Sequence, residues 1–250
     1  MALLTKRTPA ILVPVQTGIT PPFGYVRDFY TELKANAAVA AMYDFHADFC
    51  TINNSNGITR VTDSLGKASP LTPFAGSTPP TLVDAGGGGA NFAVGTPTAR
   101  CVLTGSTYAG GTSYGLLAVI SYAALPSATE SIAAFGTNQN NLYFNTAGSF
   151  GGAGIGTVAG FADGQPSWGL GYRGNSVNGN SQGELGTSNG TAAAVPSLGV
   201  LTVGMNGANV TAASGFFTGI LHALLVLTAV PDAPTLTLIT DWAKSITPQR

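Results

Sequence analysis

Apolar and polar positions alternate over short distances along most of this chain, in runs too brief and too often interrupted for helices. Ile58–Asp63 alternates behind the turn dipeptide Asn56-Gly57. Thr81–Val83 follows Pro79-Pro80, and Ala90–Val94 follows the run Gly86–Gly89. Stronger strands are predicted at Tyr114–Ala123, Leu142–Asn145, Trp168–Tyr172, Leu201–Asn206 and Phe216–Leu227, with Gly- and Asn-rich loops over 148–164 and 174–190. The last strand is apolar on both faces: alternation puts Phe216, Ile220, Leu224 and Val226 on one side and Phe217, Leu221, Leu225 and Leu227 on the other. A strand of that kind must be covered twice.

Three segments depart from this rhythm. Residues 1–24 are extended and punctuated by Pro9, Pro14, Pro21 and Pro22, which reads as an arm lying on a neighbouring surface. Val26, Phe29, Tyr30, Leu33 and Ala37 recur at helical spacing and predict a helix running through Asn36 and the alanine-rich run to Met42. Asp232 with Pro234 starts a second, short helix carrying Leu236, Ile239, Trp242 or Ala243, and Ile246, and stopped by Pro248. The expectation is an all-β, two-sheet antiparallel sandwich with an extended N-terminal arm, one N-terminal helix and one short C-terminal helix. Residues 1–40 would be an anchoring arm and helix, and residues 41–250 the sandwich domain.

Composition narrows the function. Of 250 residues only 8% are charged, the net charge is −1, and 44% are hydrophobic. So few cations cannot neutralise a run of phosphates, which excludes duplex nucleic acid, and the apolar content excludes disorder. Residues 101–240 carry just five charges: Glu130, Asp163, Arg173, Glu184 and Asp232. A surface of Gly, Thr, Ser and Asn is poorly protected against association and suits a subunit that sits beside copies of itself. The longest apolar stretch, Gly219–Val230, is too short to span a bilayer and contains His222, so no membrane insertion is expected. The first fifteen residues place their cations after a short apolar run and do not read as a signal peptide. Cys50 and Cys101 are too few for a disulfide framework or a zinc site, and whether they pair is open.

Candidate chemistry is sparse. Gly111-Thr112-Ser113-Tyr114-Gly115 matches a nucleophile elbow, with Asp163 and His222 following in hydrolase order, but a strand rather than a helix follows Ser113. Gly169-Leu170-Gly171-Tyr172-Arg173-Gly174 matches a dinucleotide fingerprint without the helix or the acid that it needs. Asp44, His46 and Asp48 could ligate a metal, although a turn capped by the two carboxylates is the expected reading. Glycoside hydrolysis needs paired carboxylates, and Glu32, Glu130 and Glu184 are widely separated. The expectation is therefore no catalytic residue, no cofactor and no metal. His222 reads as packed in or beside a buried strand. Among the aromatics, Trp168, Tyr172 and Tyr143 are the candidates for a glycan-stacking platform, against the alternative that strand aromatics are core.

From Met42 to Phe92 an ordered series appears: Met42-Tyr43-Asp44, Asp48, Ile58–Val61, Asp63-Ser64-Leu65-Gly66-Lys67, Pro80-Thr81-Leu82-Val83 and Asn91-Phe92. It resembles the entry segment of the concanavalin A-like (laminin-G-like) jelly rolls of bacteriophage virion structural proteins. Gly215–Ile220, the apolar strand and the helix with Trp242 resemble the closing elements of the same family. The resemblance spans about residues 40–247; Leu65 stands where the family has serine, and no counterpart of the lectins' calcium-binding acids is present. It implies a jelly roll in a non-enzymatic phage structural protein, a capsid decoration or head-fibre subunit or otherwise a tail-associated one. The implied partners are other virion proteins through residues 1–40 and copies of itself, trimers being common among such appendages. The alternative is a carbohydrate-binding module acting in adhesion to host surface glycans.

Overall fold

A computed structural model describes residues 27–83, 88–92, 101–108, 113–136, 141–152, 155–158, 167–174, 177–183, 186–190, 198–205 and 215–247. The arm predicted over residues 1–24 lies outside them. The first elements are α1 (Phe29–Ala35), β1 (Val39–Asp44), β2 (Cys50–Ile52), β3 (Ile58–Val61), β4 (Thr72–Pro73), β5 (Thr81–Leu82) and β6 (Ala90–Asn91). Next come β7 (Leu103–Thr107), β8 (Ser113–Ser121), β9 (Glu130–Phe135), β10 (Asn141–Phe144), β11 (Phe150–Gly152) and β12 (Ile155–Val158). The last are β13 (Ser167–Gly174), β14 (Val177–Gly183), β15 (Gly186–Asn189), β16 (Val200–Val203), β17 (Ile220–Leu227) and α2 (Ala233–Ile246).

Two antiparallel sheets face each other, as expected for a jelly-roll sandwich. One has the order β15-β14-β13-β8-β17-β6-β5, with β1 also on β17; the other runs β12-β11-β10-β9-β16-β7-β4, and β2 and β3 form a separate hairpin. β17 is central: β8 pairs with one edge, while β6 takes Ile220 and Leu221 and β1 takes Ala223 to Leu227 on the other. Between the sheets lies a core that includes Tyr43, Leu116, Ala118, Phe135, Leu142, Phe150, Leu224 and Val226. Both helices cover the outer face of the first sheet, where Phe29, Leu33, Ile239 and Trp242 pack on Leu117, Val119, Leu225 and Leu227. The double cover expected for β17 is thus real. Burying each such side chain contributes about 1.5–3 kcal/mol.

Its two faces are not the ones that simple alternation predicts. The register slips between Leu221 and Ala223, a β-bulge at His222. Leu221 consequently joins Leu224 and Val226 in the inter-sheet core, while Ala223, Leu225 and Leu227 point at the helices. One extra residue reverses the parity of everything that precedes it.

The N-terminal helix is also shorter than its periodicity predicts. It ends at Ala35, and the run to Met42 expected as its continuation instead supplies most of β1, Val39–Asp44. The open edge of β17 offers backbone hydrogen bonds to this segment, and its alternation then buries Ala41 and Tyr43 inward and Met42 outward. The second helix matches its forecast: the Asp232 carboxylate accepts from Thr235 N–H at 2.9 Å and caps the N-terminus. The stretches expected as loops hold β11 and β12 in one case and β14 and β15 in the other; β14 and β15 in particular carry few of the usual strand-forming side chains.

Candidate functional site

The three aromatics expected to form a platform do not share a face. Trp168 is 1% exposed and belongs to the core under the helices, opposite Val119. Tyr172, on the same side of β13, is half-buried and packs at the margin of that core. Tyr143 alternates with the inward Leu142 and Phe144, so it stands on the outside of the other sheet, its ring over Gly151. The sandwich lies between Tyr143 and the other two.

Of the enzyme-motif matches, Gly111, Thr112 and Asp163 lie outside the described residues, and Ser113, Gly169 and Gly171 have structural roles. Ser113 opens β8, and its hydroxyl donates to the Thr228 carbonyl at 3.0 Å. Gly169 and Gly171 face inward: a Cβ on the first would collide with the Phe150 ring, and one on the second would lie 3.0 Å from Ile155 Cδ1. Their role is close approach of the two sheets. Both cysteines are free, and burial pushes the thiols up, Cys50 to about 12 and Cys101 to about 11, so neither is a nucleophile near neutrality.

Of the eight side-chain carboxylates among the described residues, six are taken up by contacts that hold the fold. Asp28 and Asp232 cap the helices. Glu32 and Asp241 both hold the Arg27 guanidinium, at 2.9 and 2.7 Å, tying α1 to α2. Buried Asp63 accepts from the backbone N–H groups of Met42, Leu65, Lys67 and Ala68. Buried Glu130 accepts from Tyr122 Oη at 2.9 Å and from Thr218 N and Oγ1 at 2.8 Å each, and burial raises its pKa. Among the described residues no group of three His, Cys, Asp or Glu side chains is placed to hold a metal ion.

What remains is a half-exposed polar and aromatic strip where β1 leaves the sheet. Asp44, the last residue of β1, accepts from Tyr30 Oη of α1 at 3.0 Å and from His46 N–H at 3.2 Å, as the expected turn requires, whereas the Asp48 carboxylate faces the His46 ring instead of a backbone N–H. Burial, first, raises the Asp44 pKa, and the hydrogen bond from Tyr30 opposes the rise. His46 Nδ1 lies 3.3 Å from Asp48 Oδ2, with both side chains partly in solvent at 29% and 40% exposure. Phe49 closes the turn, its ring stacked at 21° and 6.5 Å from that of Tyr30. Nothing in the sequence marked Tyr30 and Phe49 as a pair, because they come from different elements.

Beside this strip the imidazole of His222 is held at both nitrogens. Nδ1 lies 2.6 Å from the Gly88 carbonyl and so donates; Nε2, at 2.9 Å, accepts from Ser121 Oγ. A Cβ on Gly89 would approach Nδ1 to 3.1 Å and Ile220 Cγ2 to 2.6 Å, which is why the chain passes here as glycine. The reading of His222 as a histidine beside a buried strand agrees with this geometry. Burial lowers the imidazole below its ordinary 6.5, partly opposed by the Gly88 carbonyl. The native state therefore takes up a proton less readily than the unfolded chain. Stability from this residue is whole above about pH 6.5 and falls as the pH drops from there through the lowered native value. Urea unfolding at about pH 7.5 and about pH 5 should show a larger acid loss in the native sequence than in His222→Gln, with buried Glu130 acting equally in both. Equal losses would remove the assignment.

Comparison with known proteins yields fold but no family: no protein-family model and no curated protein matches the sequence. Among solved structures, domain 4 of AbnA, an extracellular GH43 arabinanase from Geobacillus stearothermophilus in complex with arabinotriose, is similar with TM-score 0.53 and 15% identity, over 82% of this chain and 98% of that one. A structure concerning botulinum neurotoxin type C, whose cell entry depends on interaction with two ganglioside molecules, is similar with TM-score 0.54 and 8% identity, over 85% of this chain and 52% of that one. A mutant of Trypanosoma rangeli sialidase with trans-sialidase activity gives TM-score 0.51 and 13% identity, over 85% of this chain and 34% of that one. The chain is an all-β antiparallel sandwich. It spans about a third of the sialidase chain and about half of the toxin chain. Among the described residues no helix is long and apolar enough to cross a membrane.

Proposed function

We propose that this chain is a non-enzymatic, glycan-binding β-sandwich that serves as a structural subunit of a bacteriophage particle. The observation that carries the binding role is the match to the arabinanase domain, which covers 98% of that domain and whose structure holds arabinotriose. The toxin, which engages gangliosides, adds a second sugar-binding neighbour on the same architecture. The non-enzymatic reading is supported by the engaged carboxylates, since hydrolysis of a glycosidic bond needs two that are free to act across it.

The particle role is supported by the ordered series from Met42 to Phe92 and by the sparse charge over residues 101–240. In this reading residues 1–40 engage other virion proteins, residues 41–250 are displayed, and copies associate through neutral surface. In this reading the particle role is a capsid decoration or head-fibre subunit, or otherwise a tail-associated one. An adhesion module outside any particle is the second reading, favoured by the same sugar-binding neighbours. Two measurements test the proposal. The purified chain should bind at least one glycan on an array at millimolar concentration, and a variant lacking residues 1–24 should fold but fail to enter particles. Absence of glycan binding would sink the first half, and normal incorporation of the truncated chain the second.

A further inference from the structure

Resting on the glycan-binding reading, we infer that the sugar site is the strip formed by Tyr30, Phe49, His46 and Asp48, and that its ligand is a neutral sugar. A pyranose or furanose ring presents an apolar C–H face and a rim of hydroxyls. A site for it needs a flat apolar surface flanked by a donor and an acceptor. Phe49 and Tyr30 supply the apolar element, both partly buried, their rings near-parallel at 21° with centroids 6.5 Å apart. The acceptor is the Asp48 carboxylate, 40% exposed. His46 completes the rim: its Nδ1 lies between the Asp48 backbone N–H at 3.4 Å and the Asp48 carboxylate at 3.3 Å, and the other ring nitrogen of this 29% exposed side chain can donate to or accept from a sugar hydroxyl.

The strip is also held rigid, which reduces the entropy lost on binding. Tyr30 is fixed through Asp44, the turn is closed by Phe49 N–H to the His46 carbonyl at 3.0 Å, and the Phe45 N–H bonds the His222 carbonyl at 3.0 Å. Gly88 passes over His46 so closely that a Cβ there would meet the imidazole Cδ2 at 3.0 Å. Asp44 and Asp48 place negative charge beside the rings, which disfavours an anionic sugar and selects a neutral one.

The test uses the full chain, with arabinotriose, lactose and 3′-sialyllactose as the titrated probes alongside the array. Expected are binding of a neutral glycan, an affinity at least about tenfold lower in Phe49→Ala and in Asp48→Asn, and retention in Phe49→Trp. Tyr143→Ala, on the far sheet, should bind as the parent does. Melting temperatures establish that each variant is folded, and Asp48→Asn, altering an exposed side chain, keeps the test valid where Phe49→Ala destabilises. Unchanged affinity in Asp48→Asn and in a folded Phe49→Ala, or loss of binding in Tyr143→Ala, would overturn this site while leaving glycan binding intact. So would exclusive binding of the sialylated probe. A chain that binds no glycan removes both proposals.

Discussion

Asp63→Ala is expected to destabilise the sandwich by about 3–5 kcal/mol, enough to unfold a large share of an ordinary domain. Asp63 is 3% exposed and its two oxygens accept from four backbone N–H groups. Oδ1 takes Met42 at 2.9 Å and Leu65 at 3.1 Å; Oδ2 takes Lys67 and, at 2.8 Å, Ala68. Removing the carboxylate strands these donors where water has little access, at about 1–3 kcal/mol for each one that finds no replacement. It also frees the turn that presents Lys67, whose ammonium donates to the carbonyls of Leu33, Asn36 and Val39 and so fastens the end of α1 to the start of β1. Asp63→Asn should recover only part of the loss, because its amide nitrogen would face two of the donors. Urea unfolding near neutral pH gives the value, and a loss below about 1 kcal/mol would show that the clamp is dispensable. The motif Asp63–Lys67 is thus a device for holding the first strand on the sheet.

Gly169→Ala should cost about 3 kcal/mol through overpacking, the upper end for an added methyl. Gly169 faces the opposing sheet across the sandwich, and its Cβ would fall within the ring of Phe150. That ring cannot retreat: it is fully buried and packs edge-on against Phe144 at 5.1 Å. The steric origin makes a specific double-mutant prediction. Phe150→Ala alone leaves a cavity, but Gly169→Ala with Phe150→Ala should be less damaging than the sum of the two by at least about 1 kcal/mol. Additive losses would mean that Gly169 matters for its backbone and not for its missing side chain.

The legible parts of this fold are those decided within one segment. The apolar run Ile220–Leu227 announces a central strand, and Asp232 followed by Pro234 announces α2 with its cap. β14 and β15 were illegible because their stability comes from pairing, β14 with β13 and β15 with β14, not from side chains favouring extension. Val39–Asp44 carries a pattern that suits either a helix or a strand, and the vacant edge of β17 decides between them. Trp168 and Tyr172 were recognisable as a pair two residues removed from Leu170, yet only the helices packed above them make that face interior. The strip of Tyr30 and Phe49 needed α1 and the end of β1 to meet in space.

Residue order alone therefore determines that the chain is a sandwich of short strands, that its last strand is covered twice, and that its surface is short of charge. These follow from local periodicity and composition, which need no partner to be read. Which side chains face the core, the helices or the solvent is decided only by the tertiary structure. In a strand, the side a residue points to depends on register, and register is set by distant segments and by single-residue irregularities such as the bulge at His222. The same physical dependence moves the candidate sugar site from the aromatic strand positions to a turn assembled from two elements.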